Sequence, residues 1–137
     1  MDRFSSKQKA MDLALWQNHN HRFGETYAVA LSYTQGDYMV IPTAHPSFEK
    51  SEFEKLPKNY TKMSYKHIQQ IRMDVNPFLH WEEIVKMVSN IHGETLRFIL
   101  SAKIPLDKFI RYELATRGDD KEFNWVGFEK AKEIWLV

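Results

Sequence analysis

The chain has 137 residues, no cysteine and a formal net charge of +1, and these facts exclude several classes of protein. This length suits a single globular domain over residues 1–137, and the lack of cysteine excludes disulfides, cysteine catalysis and thiolate metal sites. The near-neutral charge gives no bulk attraction to nucleic acid, and no apolar run approaches the roughly 20 residues of a membrane span. We therefore expect a soluble, cytoplasmic protein that does not embed in a membrane.

The first part of the chain predicts one helix followed by a β-hairpin. A serine cap at residues 5–6 begins a helix that runs toward His19. Residues 27–33 then alternate in side-chain size and polarity, and a turn leads into residues 38–41, which Pro42 closes. An isolated hairpin is marginal in water, so it must pack on helices or gain another strand.

Two further segments bear on the sheet. Residues 122–126 alternate in the same way as the hairpin and are the candidate for a third strand. Residues 43–62 contain two prolines and lack clear periodicity, which indicates a long surface loop with one helical turn around residues 51–55. Loops of this length within compact domains are often functional.

Helical periodicity resumes at Ser64 and predicts five more helices, separated by prolines and glycines. Their predicted inward-facing residues are Tyr65, Ile68, Ile71; Trp81, Ile84, Val85, Val88; Leu96, Ile99, Leu100; Leu106, Phe109, Ile110, Leu114; and Phe128, Ala131, Ile134, Trp135. The sequence therefore predicts an α+β fold, mostly helical, with five or six helices packed on a small antiparallel β-hairpin or three-stranded sheet.

The aromatic content gives the leading hypothesis for function. Four tryptophans, six tyrosines and nine phenylalanines are many for this length, and most must lie in the core. Tryptophan and tyrosine at a surface are the usual anchors of protein interfaces. We expect a small non-enzymatic protein-binding domain, an adaptor or inhibitor, that uses Tyr38, Trp125 and Trp135, with a homodimer as its simplest form.

A basic segment supports the alternative, a nucleic-acid-binding module. Residues 58–72 contain no acidic residue, and their cations are interleaved with tyrosines. Cations contact phosphates while tyrosine rings stack on unpaired bases. The residues that would carry this function are Lys58, Tyr60, Lys62, Tyr65, Lys66 and Arg72.

A small metal-dependent or hydrolytic enzyme is the third hypothesis. His19 and His21 could share a metal ion, but the sequence specifies no third ligand. His80 and Glu83 have the spacing of a hydrogen-bonded pair on a helix, and His45 is a further candidate. None of the glycine-rich phosphate-binding or nucleophile motifs is present. We predict no cofactor and no metal site.

Overall fold

The computed structural model describes residues 2–20, 26–31, 36–45 and 53–137. Their helices are α1 (Lys7–Asn20), α2 (Tyr65–Met73), α3 (Leu79–Ser89), α4 (Gly93–Ser101), α5 (Leu106–Thr116) and α6 (Phe128–Trp135). Their strands are β1 (Arg3–Phe4), β2 (Tyr27–Leu31), β3 (Tyr38–Pro42) and β4 (Phe53–Glu54). The predicted fold class, a mostly helical α+β protein with a small antiparallel sheet, is confirmed.

The contacts divide the chain into two compact units, an N-terminal unit, Met1–Val85, and a C-terminal unit, Lys86–Val137. The sheet lies in the N-terminal unit, whereas α4, α5 and α6 belong to the C-terminal unit. The prediction of one globular domain stays a prediction, and each unit is described by itself. None of the described helices is both long and apolar enough to cross a bilayer.

The sheet is built on the predicted hairpin. Strand β2 pairs antiparallel with β3, and Val29 lies opposite Val40. Two short strands extend this pair, in the order β1-β3-β2-β4, with β1 on β3 and β4 on β2. A strand of two residues has no periodicity that a sequence pattern could reveal, which is why the sequence indicates neither edge strand.

Two local predictions are wrong. Residues 122–126 add no strand to this sheet, and in that stretch Trp125 forms only an isolated bridge with Asp119. Phe53 and Glu54, predicted within a helical turn, form β4 instead. Phe53 and Glu54 form a strand because they pair with β2, and a local sequence pattern does not reveal such long-range hydrogen bonds.

Helix α1 forms the core of the N-terminal unit with the sheet. Ala10 and Ala14 are fully buried and cluster with Val40 of β3. Their small side chains let the helix approach the strand closely. Asn18 fixes the other end of α1 to the sheet, because its Oδ1 accepts from the backbone N–H of Tyr27 at 2.6 Å and its Nδ2 donates to the carbonyl of the same residue at 3.3 Å.

The C-terminal unit is held together mainly by α5 and α6, which pack on each other. Ala115 of α5 and Ala131 of α6 are buried. The side chain of Trp135 donates from Nε1 to the carbonyl of Asp119 at 2.9 Å, and Arg111 donates to the carbonyl of Trp135 at 3.3 Å. These bonds tie the end of the chain to α5 and to the loop that follows it.

Candidate functional site

A buried polar network joins α1 and α2 in the N-terminal unit. Asp12 of α1 is 3% exposed and His67 of α2 is 6% exposed. Oδ2 of Asp12 lies 2.8 Å from Nε2 of His67, and the hydroxyl of Tyr60 donates to Oδ1 at 2.9 Å. A buried carboxylate is costly unless its oxygens accept hydrogen bonds, so these two partners compensate its desolvation.

Local structure fixes His67 in this position. Ser64 is the N-cap of α2, and its hydroxyl accepts from the backbone N–H of His67 at 3.1 Å. The cap begins the helix at Tyr65, which places His67 in the first turn, facing Asp12 of α1. Burial and the carboxylate of Asp12 raise the pKa of Tyr60 above its ordinary value of 10.0, so its hydroxyl stays a donor.

A cleft of about 580 Å³ lies beside this network. Residues of α1 and α2 and the segment from Asp74 to Trp81 line it, and Asp12 and His67 reach its surface. Trp81 packs edge-on against the ring of Tyr60, with centroids 5.2 Å apart. The cleft therefore joins a buried hydrogen-bonded pair to an aromatic wall.

An aromatic stack adjoins the cleft through Phe78, which belongs to both. The ring of His80 lies 4.2 Å from that of Trp16 with only 7° between their planes, and 5.7 Å from that of Phe78 with 6°. Desolvation lowers the pKa of His80 below 6.5, against the opposing attraction of Asp12. Protonating this ring would place a charge between two apolar rings.

The lowered pKa of His80 gives a prediction on pH dependence. The unfolded ring gains its proton below about pH 6.5, while the folded ring needs a lower pH, so the unfolded state binds more protons in that window. The free energy of unfolding should fall as the pH drops from about 7.5 to 5.5. Urea unfolding should show that the free energy of unfolding falls less over this pH range in the His80→Phe variant than in the unchanged protein. Equal falls would contradict the assignment of the pH dependence to His80.

Those histidines of the enzymatic hypothesis that the structure describes do not form a metal site. His80 and His19 both contact Trp16, with centroids of His19 and Trp16 5.9 Å apart, and Glu83 is exposed. His45 follows β3, and His21 lies outside the described residues. In the described ranges no group of three or more potential ligands could hold a metal ion.

The basic segment is split between the surface and the buried network. Lys58, Lys62, Lys66 and Arg72 are all exposed. The side chain of Tyr65 is 90% exposed. Tyr60 instead donates to Asp12 and packs on Trp81, so its ring is part of the polar network rather than a free stacking platform.

The predicted partner-binding residues lie in different surroundings. Tyr38 of β3 packs against the core around Ala10 and Ala14. Trp135 is partly buried, and its indole N–H is bonded to Asp119. Trp125 is 64% exposed and forms an edge-to-face pair with Phe128, at 5.2 Å between centroids. Only Trp125 therefore presents a large aromatic surface.

The apolar stripe of α5 is the unexpected feature of the C-terminal unit. Leu106, Phe109 and Ile110 follow one another at helical spacing, which led us to predict that they face the core. They are 48%, 65% and 55% exposed, so that prediction is wrong. Three helices of 9, 11 and 8 residues offer too little surface to cover every apolar stripe.

Other predicted inward residues are also exposed. Tyr65, Ile68, Ile84, Val88, Leu100 and Phe128 each leave more than a third of their surface open. A sequence period identifies an apolar face, but it does not identify what covers that face. We name the three α5 residues together with Trp125 and Phe128 the apolar surface.

Neither Asp12 nor His67 is among the site residues predicted above. One signal was present: Asp12 interrupts an otherwise apolar run, Ala-Met-Asp-Leu-Ala-Leu, on a helix. An acidic residue inside such a run has to find a partner when the helix packs. The run does not indicate that the partner is 55 residues away.

The chain matches no protein-family model, no curated protein and no solved structure.

Proposed function

We propose that this protein is a protein-binding domain that forms a homodimer through the apolar surface of its C-terminal unit. The observation that carries the proposal is the exposure of Leu106, Phe109 and Ile110 along one stripe of α5, together with Trp125 and Phe128. Exposed apolar clusters on a folded unit are typical of interaction sites. Burying them removes apolar area from water, which is the dominant favourable contribution to most protein association.

The charge of the C-terminal unit supports a second copy as the partner. Residues 86–137 contain nine lysines and arginines and eight aspartates and glutamates. Helix α6 alternates the two signs, with Glu129 near Lys132 and Lys130 near Glu133. Two copies of such a surface do not repel each other strongly, and a twofold arrangement can bring opposite charges together.

Analytical ultracentrifugation of the full chain over a range of concentrations tests this proposal. We expect a reversible monomer–dimer equilibrium that weakens by at least about tenfold in the Phe109→Asp variant, because a charge would be desolvated in the interface. Trp125→Ala should weaken the dimer in the same direction, since it removes an aromatic anchor.

Val75→Asp is the matched control, because Val75 is fully exposed and lies in the N-terminal unit. It introduces the same charge on a different surface and should leave the dimer unchanged. A protein that stays monomeric at all concentrations would refute the homodimer, and an equal loss in both aspartate variants would refute the assignment to the apolar surface.

Nucleic-acid binding is the second candidate, and the exposure of Tyr65 favours it. This ring is 90% exposed beside Lys66, on the helix that follows Lys62. An exposed tyrosine between cations is suited to stacking on an unpaired base.

This second candidate predicts binding to single-stranded RNA that weakens steeply as salt rises. Fluorescence anisotropy with a labelled oligonucleotide should show a clear loss of affinity in the Lys62→Glu, Lys66→Glu double variant. Charge reversal at Lys103 and Lys108 in the C-terminal unit is the control. Binding that is independent of salt, or that both double variants weaken equally, would exclude the segment as the site.

A further inference from the structure

The cleft of the N-terminal unit is lined by both polar and apolar side chains. Asp12 and His67 are among the polar residues, while Ile71, Phe78 and Trp81 contribute apolar and aromatic surface. Its volume, about 580 Å³, falls within the range of sites that enclose small molecules.

The hydrogen bonds of Asp12 define the state of the His67 ring. A carboxylate only accepts, so Nε2 of His67 must carry the proton of the bond to Oδ2. In the tautomer that this bond selects, the other nitrogen, Nδ1, has a free lone pair, and this tautomer is assigned from the bonding partners. No donor from the described parts of the chain meets Nδ1. His67 therefore offers an acceptor to a ligand.

Two charged groups of the cleft wall, Lys9 and Asp74, are paired with each other. Nζ of Lys9 lies 2.8 Å from Oδ2 of Asp74, donates to the carbonyl of Asn76 at 2.9 Å and lies 5.4 Å from the centre of the Phe78 ring. Partial burial opposes ionisation of Asp74, but its bonds to Lys9 and Asn76 prevail and lower the pKa of this carboxyl group. This pairing leaves neither Lys9 nor Asp74 to bind a charged ligand, and Lys66 is the other lysine of the lining.

We propose that this cleft binds a small neutral aromatic molecule that carries a hydroxyl group. The hydroxyl donates to Nδ1 of His67, and the aromatic ring lies against Phe78 and Trp81. Flat rings gain from offset or edge-on contact with these side chains as well as from leaving water. The site lies wholly in the N-terminal unit and is separate from the apolar surface proposed to form the dimer.

Titration of the full chain with 4-methylphenol, followed by two-dimensional NMR, tests the proposal. We expect saturable shifts of signals from α1, α2 and the Trp81 indole. The matched ligand 4-methylanisole has the same ring but no hydroxyl proton, and we expect it to bind about tenfold more weakly because the bond to His67 is lost. Equal affinities, or no saturable shift with 4-methylphenol, would overturn the proposal.

Two pairs of variants locate the site and test the charge of the ligand. Phe78→Leu should weaken binding of 4-methylphenol severalfold, whereas Phe109→Leu, in the C-terminal unit, should not. Lys66→Met should leave binding unchanged, because the proposed ligand is neutral. Loss of binding in Lys66→Met would instead mean that the ammonium group of Lys66 donates to the ligand oxygen, and it would overturn the assignment to His67. The ligand pair keeps the test valid if Phe78→Leu fails to fold.

Discussion

Replacing His67 by phenylalanine is expected to lower the free energy of unfolding by about 3–5 kcal/mol. The ring size is nearly kept, so the change acts mainly on the hydrogen bond from Nε2 to Asp12. Asp12 would remain buried, and among the described residues Tyr60 would be its remaining side-chain hydrogen-bond donor. A buried carboxylate that loses one of two donors is strongly destabilising, because water cannot replace the missing bond.

Urea unfolding followed by circular dichroism measures this effect. His92→Phe is the matched control, since His92 is exposed and its side chain makes no capping bond, and it should change the stability by no more than about 0.5 kcal/mol. Tyr60→Phe removes the second donor and should cost about 1.5–3 kcal/mol. If His67→Phe proves as mild as the control, the buried pair does not hold α1 and α2 together.

Replacing Gly118 by alanine should destabilise the C-terminal unit through two separate effects. Gly118 has a φ of +74°, a conformation that costs a residue with a side chain about 1–3 kcal/mol. An added Cβ would also overlap the ring of Trp125. Moving that ring should lower the free energy of unfolding by a further amount of about 1–3 kcal/mol, as overpacking does at other sites. Hydrogen exchange of α5 and α6 amides measures the loss in this unit directly.

Gly127→Ala separates the two effects. Gly127 also has a positive φ, +87°, but an added Cβ there would meet no atom within 4 Å. Gly127→Ala should therefore lose only the stability that the positive φ costs a residue with a side chain. The additional loss in Gly118→Ala then measures the overlap with the ring of Trp125. Equal destabilisation would mean that the Trp125 ring moves aside freely and does not lie fixed over Gly118.

The two units carry different kinds of chemistry. The N-terminal unit buries a carboxylate, a histidine and a tyrosine beside a cleft, which favours binding of a small molecule. The C-terminal unit buries little apart from two alanines and leaves large apolar side chains exposed, which favours binding of a protein surface. Loss of the dimer and loss of 4-methylphenol binding are therefore separable outcomes, each tested by variants in one unit.

The amino-acid sequence by itself determined the elements that depend on local pattern. Helical periodicity, proline and glycine positions and serine caps were sufficient to indicate α1 to α6, because helix formation depends on residues within a few positions of one another. The alternation of residues 27–33 and 38–41 was sufficient for the hairpin for the same reason. The fold class followed from these elements.

Only the tertiary structure decided the features that depend on distant residues. The two-residue strands β1 and β4 exist because β3 and β2 offer them hydrogen bonds, and Asp12 meets His67 across 55 positions of sequence. The sequence also does not predict that Phe109 is exposed. Periodicity indicates an apolar face, but only the packing of neighbouring helices determines whether that face is covered. Local energies select the elements, whereas long-range contacts select their partners.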